Sequence, residues 1–447
     1  MKKSTSIAIA LSTLLVVSTN ATAQEWDPWI KAAITSRDID HRPGGDSLDQ
    51  DSAFIEARIG AWDALPKEFS WFVDVRAVAS TDDTALLDEN TDFVREDSSG
   101  DSYFLQVREA YLRYHGLTRL PDEHLTLGLQ RIDDIDGLWL DADVESLVWR
   151  GETTQLNWQV GIGKEFDTFR TDADLLSIND DVTRSFASFD WDWTAYHSIG
   201  LAYMTHSQST DLDANIFGNT ALGYNPDIRW SGVRIMSNWQ ERRSPQAIAY
   251  KAEWIKQSGD TSRVAADGSI TDVDVDADAI DLGVRFDQKK WSAGITYTRG
   301  SGGESVNQNM HFSQSGLQSN RGRYFGVRQR LYRFNEALRA DITNIAHTGL
   351  FASWQPNEHW EGVLLLGRYV KDNAEQDIFS FGRAIETVAG NDDLGTSIDI
   401  NVTHYAYDTN PYNLNLVRFR VGAFSPGDAF VDQSTDYRIT LEAQFRF

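Results

Sequence analysis

The last eleven residues, 437–447 (YRITLEAQFRF), alternate strictly between apolar and polar side chains. Because successive residues of a strand point to opposite faces, this stretch predicts a strand with one apolar face and one polar face. The same alternation recurs along most of the chain, for example in 53–61, 291–298 and 417–423. Apolar residues outward and charges inward, repeated many times, are typical of a transmembrane β-barrel. A soluble β-sandwich is the alternative that this stretch alone leaves open.

Composition favours the membrane barrel. The 447 residues include 15 Trp, 15 Tyr and 22 Phe, as aromatic girdles at two membrane interfaces require. Mean hydropathy is −0.42, and after the first 23 residues no segment approaches the roughly 18 apolar residues of a spanning helix. Only helices and closed barrels satisfy every backbone group in lipid. We therefore predict an all-β, transmembrane antiparallel β-barrel of about 16–18 strands, with short periplasmic turns and long extracellular loops.

The N-terminus is typical of a secretory signal peptide. Lys2 and Lys3 precede an apolar segment at 7–17, and the small residues 21–23 (ATA) form a cleavage site. The chain contains no Cys, which excludes disulfides, thiolate metal sites and a lipoprotein anchor. We predict a signal peptide at 1–23 and a single barrel domain at 24–447, located in the outer membrane of a Gram-negative bacterium.

The net charge of −26 argues against a nucleic-acid partner, which needs a basic footprint. Much of the acid falls in segments that we interpret as long extracellular loops, at 81–102, 260–278, 300–321 and 371–395. One of these loops carries alternating carboxylates that could bind Ca²⁺, at Asp272, Asp274, Asp276 and Asp278. Their spacing lacks the Gly and the distal Glu of an EF-hand, so a solvated loop is the favoured interpretation.

Enzyme signatures are absent from the sequence: there is no GxSxG, HExxH, Walker A or Rossmann motif. His197 precedes Ser198, but a catalytic pair needs a third, orienting group that sequence cannot show. We predict no enzymatic activity and no cofactor. An outer-membrane enzyme or adhesin with a site at 197–198 is the alternative from a different class.

The polar faces of the predicted strands are rich in basic residues. Rings of Arg or Lys select anions in pores, and the guanidinium fork suits carboxylates. Most of this charge is expected to pair with acids that face the lumen, such as Glu56, Asp74, Asp281 and Glu442. The pairs Arg328/Arg330 and Arg418/Arg420 have no acid nearby on the same face, which predicts surplus positive charge there. The basic residues that alternation places inward are Lys31, Arg58, Arg76, Arg108, Arg285, Arg328, Arg330, Arg418, Arg420, Arg438 and Arg446.

Residues 104–149 (FLQVREAYLRYHGLTRLPDEHLTLGLQRIDDIDGLWLDADVESLVW) resemble the alginate export family. The resemblance continues at 169–172 (FRTD), 299–303 (RGSGG), 315–344 and 418–429 (RFRVGAFSPGDA), and so spans essentially the whole mature chain. It implies an 18-stranded outer-membrane porin whose arginine-rich, partly acidic constriction passes a polyuronate. It also implies gating by a long periplasmic segment and by extracellular loops. The pore set that it implies is Lys31, Arg58, Arg108, Glu109, Arg131, Asp141, Arg170, Asp172, Arg321, Arg330, Arg418 and Arg420.

Two residues of that set conflict with simple alternation. The pattern breaks at Glu109, which predicts a β-bulge or a change of environment. Alternation from Leu125 to Leu129 places Arg131 on the lipid side.

With Arg328 added to the pore set, we predict a passive, anion-selective porin that exports alginate or a similar acidic polysaccharide. Its expected partners are that polysaccharide, outer-membrane lipid and periplasmic polysaccharide-secretion proteins. The alternative is a general or solute-specific uptake porin for small anionic solutes.

Overall fold

Eighteen antiparallel strands form a closed barrel in the computed structural model. The model describes residues 25–43, 47–81, 102–120, 122–134, 136–218, 220–237, 239, 247–265, 268–305, 308–309, 311–323, 326–407 and 414–446. The predicted signal peptide, nearly all of the acidic segment 81–102 and Phe447 lie outside the described residues. The strands are β1 (Glu25–Ile39), β2 (Leu48–Leu65), β3 (Phe69–Ser80), β4 (Tyr103–Tyr114), β5 (His124–Asp133), β6 (Asp141–Glu152), β7 (Leu156–Lys164), β8 (Val182–Thr194), β9 (His197–Gln208), β10 (Tyr224–Ser237), β11 (Ala247–Val264), β12 (Ile270–Asp287), β13 (Trp291–Gly300), β14 (Ile345–Asn357), β15 (Trp360–Lys371), β16 (Asp393–Tyr407), β17 (Leu414–Pro426) and β18 (Asp436–Arg446).

Each strand pairs with the next along the chain, and β1 pairs with β18 from Trp29↔Arg446 to Asp38↔Tyr437 to close the barrel. The C-terminal alternation is therefore the closing strand. Among the described residues, the remaining elements are two 3-10 turns and three small antiparallel pairs within the connections. No helix among the described residues is long and apolar enough to cross a membrane. These elements are Ser177–Asn179 and Ala214–Phe217, and the pairs Glu304–Ser305 with Gln308–Asn309, Arg321–Gly322 with Leu331–Tyr332, and Ile378–Ser380 with Arg383–Ile385.

The outer surface of the wall carries an apolar band. On β12, Leu282, Val284 and Phe286 are exposed outward, whereas Asp281 and Arg285 are buried inside the barrel. The run 280–286 spans about 20–24 Å at about 3.4 Å per residue, close to the roughly 25 Å band of outer-membrane barrels. Exposed tryptophans lie near the ends of the strands, as an interfacial girdle requires. They include Trp62, Trp149, Trp191, Trp354 and Trp360.

The two ends of the barrel differ in the length of their connections. At the end of the barrel where β1 begins and β18 ends, consecutive strands are joined by at most nine residues. At the other end the connections reach 44 residues, at 301–344. Short turns mark the periplasmic end and long loops the extracellular end. The expectation of a long periplasmic segment is therefore wrong for this chain: the longest connections at that end, between β4 and β5 and between β10 and β11, have nine residues.

The alternating aspartates of the predicted acidic loop, the weak candidate for Ca²⁺ binding, lie in a strand instead. β11 and β12 pair continuously up to Val264↔Ile270, so 260–278 is mostly the top of a hairpin and not a long loop. Asp272, Asp274 and Asp276 are exposed on its outer side, whereas Val273 and Val275 are buried inside. The carboxylates bond locally, for example Asp272 to the Ser262 hydroxyl at 2.8 Å. Above the lipid the wall thus inverts its polarity, because its inner face packs on folded loops.

The connection 301–344 folds into the lumen, and we call it the internal segment. Near its middle, Arg333 forms an ion pair with Asp281 on β12. Arg328 donates to the carbonyl of Glu358, in the periplasmic turn between β14 and β15, at 2.7 Å. A connection that starts at the extracellular end therefore reaches the periplasmic end of the barrel.

One side of the lumen is filled by apolar packing around the internal segment. Val327 and Leu331 pack with Phe351 and Leu365 of the wall and with Trp239, which comes from the periplasmic connection of β10 and β11. A Cβ at Gly283 would lie 2.6 Å from the Trp239 ring, so this glycine lets the indole lie flat on the wall. The space that remains lies on the opposite side of the internal segment.

His41 ties the first extracellular connection to the last one. Its Nδ1 lies 3.0 Å from the Asp436 carboxylate and its Nε2 lies 3.1 Å from the Asp432 carbonyl oxygen, with the ring packed on Phe430. Burial lowers the pKa of His41, but the hydrogen bond and charge of Asp436 raise the pKa further, so that it lies above 6.5. A raised pKa means that the stabilisation is complete below pH 6.5 and is lost as pH rises through the folded-state value.

After correction for intrinsic exchange, we expect the amides of 427–435 to be more strongly protected at pH 5.5 than at pH 8.5. The protonated ring donates to both Asp436 and Asp432, and the neutral ring donates to only one of them. The His41→Gln variant is expected to exchange at the same rate at both pH values after correction for intrinsic exchange. A pH-dependent difference that persists in this variant would assign the effect to another group.

Candidate functional site

A polar cavity of about 870 Å³ occupies the side of the lumen that the apolar packing leaves open, and we call it the basin. The internal segment forms one wall, and β1–β6 with β16–β18 form the other. Asp27, Trp29 and Arg446 lie in its wall, so the basin reaches the periplasmic end. Its charged side chains are twelve basic (Lys31, Arg58, Arg76, Arg108, Arg131, Arg170, Arg321, Arg323, Arg328, Arg330, Arg418, Arg446) and seven acidic (Asp27, Glu56, Asp141, Asp143, Glu165, Asp167, Glu442).

A β-bulge in β4 explains why the alternation breaks at Glu109. Asp74 of β3 pairs with Glu109, but the next residue, Val75, pairs with Val107, so Arg108 is the extra residue. The bulge lets two consecutive side chains turn inward. Arg108 bonds Asp143 at 3.3 Å, and the Glu109 carboxylate accepts the backbone N–H of Arg131 at 3.3 Å. The predicted bulge is confirmed.

The strands β4 and β5 separate above a short stretch of pairing. They pair only from Tyr114↔Leu125 to Ala110↔Leu129, whereas β5 pairs with β6 over its whole length. The β5–β6 hairpin therefore leaves the wall and enters the lumen. Arg131, at its upper end, forms ion pairs with Asp141 and Asp143 in the basin. Its assignment to the lipid side by alternation is wrong, because alternation assumes that β5 stays in the wall.

The gap that β5 leaves is closed by residues 168–171. Val107 donates to the Phe169 carbonyl at 3.2 Å, and Thr171 donates to the Leu105 carbonyl at 3.0 Å. The Arg170 guanidinium stacks over the Phe104 ring at 3.9 Å and holds the Asp172 carboxylate at 2.7 and 3.0 Å. Both charged side chains are buried. Arg170 touches the basin, but its main contacts hold this patch of the wall together.

Asp141 joins the β5–β6 hairpin to the internal segment. Its carboxylate forms ion pairs with Arg131 and, at 3.2 Å, with Arg330, and it accepts the Ser319 hydroxyl. Arg330 also lies 3.5 Å from Asp133. The centre of the basin is therefore a chain of alternating guanidinium and carboxylate groups.

The predicted surplus charge at Arg328/Arg330 and Arg418/Arg420 is wrong. Arg328 lies 3.4 Å from Glu361 and 3.7 Å from the Tyr405 ring, and Arg330 pairs with Asp141. Arg418 bonds Glu442 at 2.7 Å. Arg328 and Arg330 also lie on the internal segment and not on a strand of the wall. Alternation finds acids on the same strand only, so it misses partners on neighbouring strands and loops.

Arg420 lies outside the basin wall. It pairs with Glu336 of the internal segment at 3.2 Å, and both side chains are buried. Burial would raise the pKa of Glu336, but the charges of Arg420 and Arg339 lower the pKa below its ordinary value. Arg420 therefore anchors the internal segment.

The predicted residues fall into two groups. Those in the basin wall are Lys31, Arg58, Arg108, Arg131, Asp141, Arg170, Arg321, Arg328, Arg330 and Arg418, whereas Glu109, Asp172 and Arg420 lie behind it. Sequence reasoning left Asp143, Glu165, Asp167 and Arg323 out. Two of these stand two residues from a predicted one, Asp143 from Asp141 and Arg323 from Arg321, and this spacing was the available signal.

Among the described residues, the other polar groups that the sequence analysis considered do not form a second catalytic or metal-binding site. His197 Nδ1 bonds the Tyr250 hydroxyl at 2.9 Å, and no hydrogen bond joins it to Ser198 in the described residues. In the part of the chain that the structure describes, one set of three acids could hold a metal ion, Asp136, Glu253 and Asp281. Lys251 forms ion pairs with all three, so a lysine ammonium neutralises this set. Asp272, Asp274, Asp276 and Asp278, the weak candidates for Ca²⁺ binding, are not in this set.

The sequence model of the family described as "Alginate export" matches residues 37–443. The chain belongs to the alginate export family. It is similar to the alginate production protein AlgE of Pseudomonas aeruginosa, with 32% identity over 440 residues that cover 92% of this chain and 89% of AlgE. AlgE of Azotobacter vinelandii is also 32% identical, over 457 residues that cover 92% of this chain and 90% of AlgE.

Solved barrels share the fold of this family member. OccK1 (OpdK) of Pseudomonas aeruginosa matches with a TM-score of 0.59 and 12% identity, over 94% of this chain and 98% of OccK1. OccK5 (OpdH) of the same organism matches with a TM-score of 0.57 and 9% identity, over 94% of this chain and 98% of OccK5. The protein is an outer-membrane β-barrel of the porin type, and its relatives are of a non-enzymatic kind.

Proposed function

We propose that this barrel is a passive, anion-selective porin that exports alginate or a similar acidic polysaccharide through the basin. The observation that carries the proposal is the charge of the basin wall, which has twelve basic and seven acidic side chains in a chain of net charge −26. The names of the relatives supply the polymer: alginate is a polyuronate, with one carboxylate on each sugar. The proposal places the entrance at the periplasmic end, which the basin reaches.

Transport in this proposal proceeds by exchange of carboxylates. An incoming uronate carboxylate replaces a protein carboxylate on a guanidinium, and the protein carboxylate competes for that guanidinium when the polymer moves on. The Arg131–Asp141–Arg330 chain offers such exchange at closely spaced positions. Several weak sites allow the polymer to leave as readily as it enters. Outer-membrane lipid around the apolar band and periplasmic polysaccharide-secretion proteins complete the proposed set of partners.

The test is conductance of the full barrel in a planar bilayer. Under a KCl gradient we expect a reversal potential of the sign that chloride permeation produces. Oligomannuronate added on the periplasmic side is expected to block the current, and the block weakens with ionic strength because salt screens the charges. A neutral maltodextrin of equal length is the control and is expected not to block. Cation selectivity without block by the oligouronate would reject the proposal.

The uptake alternative predicts a different asymmetry. A porin for small anionic solutes would pass monomeric uronate and would be blocked at lower concentration from the extracellular side. Addition of mannuronate and of oligomannuronate to each side in turn separates the two functions in the same apparatus.

A further inference from the structure

The positive charge of the basin is largely balanced by the protein itself. Ten of its twelve basic side chains form an ion pair with a carboxylate. In three cases that carboxylate lies behind the wall of the basin: Arg58 with Asp74, Arg170 with Asp172 and Arg328 with Glu361. The remaining ion pairs are Lys31–Glu442, Arg76–Glu56, Arg108–Asp143, Arg131–Asp141, Arg330–Asp141, Arg418–Glu442 and Arg446–Asp27.

An arginine that already pairs with a protein carboxylate gains little net binding free energy from a polymer carboxylate. The polymer must displace the protein carboxylate, so one charge-assisted hydrogen bond replaces another of similar strength. The affinity of the basin for a polyanion then depends on the positive charge that no protein carboxylate shares. This reasoning directs attention to the two basic residues outside the ion pairs above, Arg321 and Arg323.

Arg321 and Arg323 differ in their surroundings. The Arg321 guanidinium lies 5.0 Å from the centre of the Tyr332 ring and is half-buried. Arg323 is exposed to the basin, and the described part of the chain supplies neither a carboxylate nor an aromatic ring to it. Arg323 follows the short strand Arg321–Gly322 of the internal segment. Its charge therefore projects from the segment that divides the lumen and not from a strand of the barrel.

We infer that Arg323 is the main anion-contacting residue of the basin and determines its preference for polyanions. It is the first guanidinium that a polymer carboxylate can bind without displacing a protein carboxylate, and the paired arginines receive the polymer from it by exchange. This inference rests on the proposed function and adds to it the residue at which the polymer is captured. Arg323 is not part of the pore set that the family resemblance implies.

The experiment measures the block of bilayer current by oligomannuronate and the reversal potential in a KCl gradient. We expect Arg323→Gln to weaken the block about tenfold, as for the loss of one hydrogen bond to a charged group, and to shift the reversal potential towards zero. Arg323→Lys keeps the charge and is expected to restore the reversal potential and most of the block.

Two comparison variants separate the effect of Arg323 from the effect of the other charged residues. Arg229→Gln removes one positive charge from the exposed outer side of β10, and we expect wild-type block. The double variant Arg108→Gln/Asp143→Asn removes a basin pair without a change in net charge, and we expect a smaller loss than in Arg323→Gln.

Wild-type block in Arg323→Gln, or an equal loss in the double variant, would overturn the inference while the proposed function stands. A wild-type barrel without anion preference or block would overturn the proposed function, and the inference with it.

Discussion

Replacement of Asp281 by alanine is expected to destabilise the barrel by about 3–5 kcal/mol, the cost of leaving a buried charge without its partner. Asp281 is 2% exposed on the inner side of β12. Its carboxylate holds Arg333 of the internal segment, lies 2.7 Å from the Lys251 ammonium and accepts the Thr298 hydroxyl at 2.8 Å. Alanine removes the carboxylate that pairs with the buried Arg333 guanidinium and one of the carboxylates that pair with Lys251. Denaturant unfolding of the barrel in detergent micelles measures the change.

The same substitution is expected to raise single-channel conductance. The Arg333–Asp281 pair fixes the internal segment against β12, and a released segment leaves more open lumen. Asp276→Ala is the matched control, because Asp276 lies on the same strand and also pairs with a lysine, Lys256, but is exposed on the outer side. Exposed pairs contribute little, so we expect the control to change stability by less than about 0.5 kcal/mol and conductance not at all. Equal stability of the two variants would show that the pair does not hold the segment.

Buried ion pairs restrict the position of the internal segment more than apolar contacts do. Apolar packing tolerates sliding, whereas the ion pairs of Arg333 with Asp281 and of Arg420 with Glu336 depend on the distance and direction between the two groups. The two pairs lie on different strands, β12 and β17, so the internal segment is held between two parts of the wall. The basin wall, which carries Arg321, Arg323, Arg328 and Arg330 from this segment, is thereby fixed relative to the arginines of the strands.

Alternation predicts the wall well, because the wall obeys a period of two wherever lipid lies on one side and water on the other. The closing strand and the inward side of Arg58 and Arg418 follow from it. The barrel and its strand number are confirmed. Above the lipid the alternation inverts, with apolar residues inward and polar residues outward. This is why the alternating aspartates of β12 predicted an exposed loop.

Alternation fails where the chain leaves the wall. Arg131 turns inward because β5 separates from β4 at Leu129. Glu109 departs from the alternation because β4 carries a bulge. The acidic partners of Arg328 and Arg330 are distant from these arginines in sequence, so no local pattern predicts the contacts. The resemblance to the family found Arg131 and Asp141, since motif order does not depend on strand geometry. Arg323 escaped both approaches, because the pore set that the resemblance implies contains Arg321 but not Arg323, and because Arg323 lies on no strand of the barrel wall.

Replacement of Asp141 by asparagine is expected to tighten the block by oligomannuronate about tenfold or more. Asparagine keeps the size of the side chain and an oxygen for the Ser319 hydroxyl, but it removes the carboxylate that Arg131 and Arg330 share. Arg131 keeps the longer ion pair with Asp143, at 3.9 Å. Arg330 keeps the one with Asp133, at 3.5 Å. Both guanidiniums then have more capacity for charge-assisted hydrogen bonds to the polymer, each stronger than a neutral one. Because affinity changes within one site act mainly on dissociation, we expect longer blocked times and slower release.

Asp167→Asn is the matched control, since it adds the same charge to the same basin without releasing an arginine. Among the described residues the Asp167 carboxylate accepts the Phe169 N–H at 3.3 Å and forms no ion pair. If tighter block comes from freed guanidiniums, blocked times lengthen in Asp141→Asn and change little in Asp167→Asn. Equal lengthening in both variants would mean that net charge alone controls polymer retention. Shorter blocked times in Asp141→Asn would mean that its carboxylate holds Arg131 and Arg330 in the position that binds the polymer.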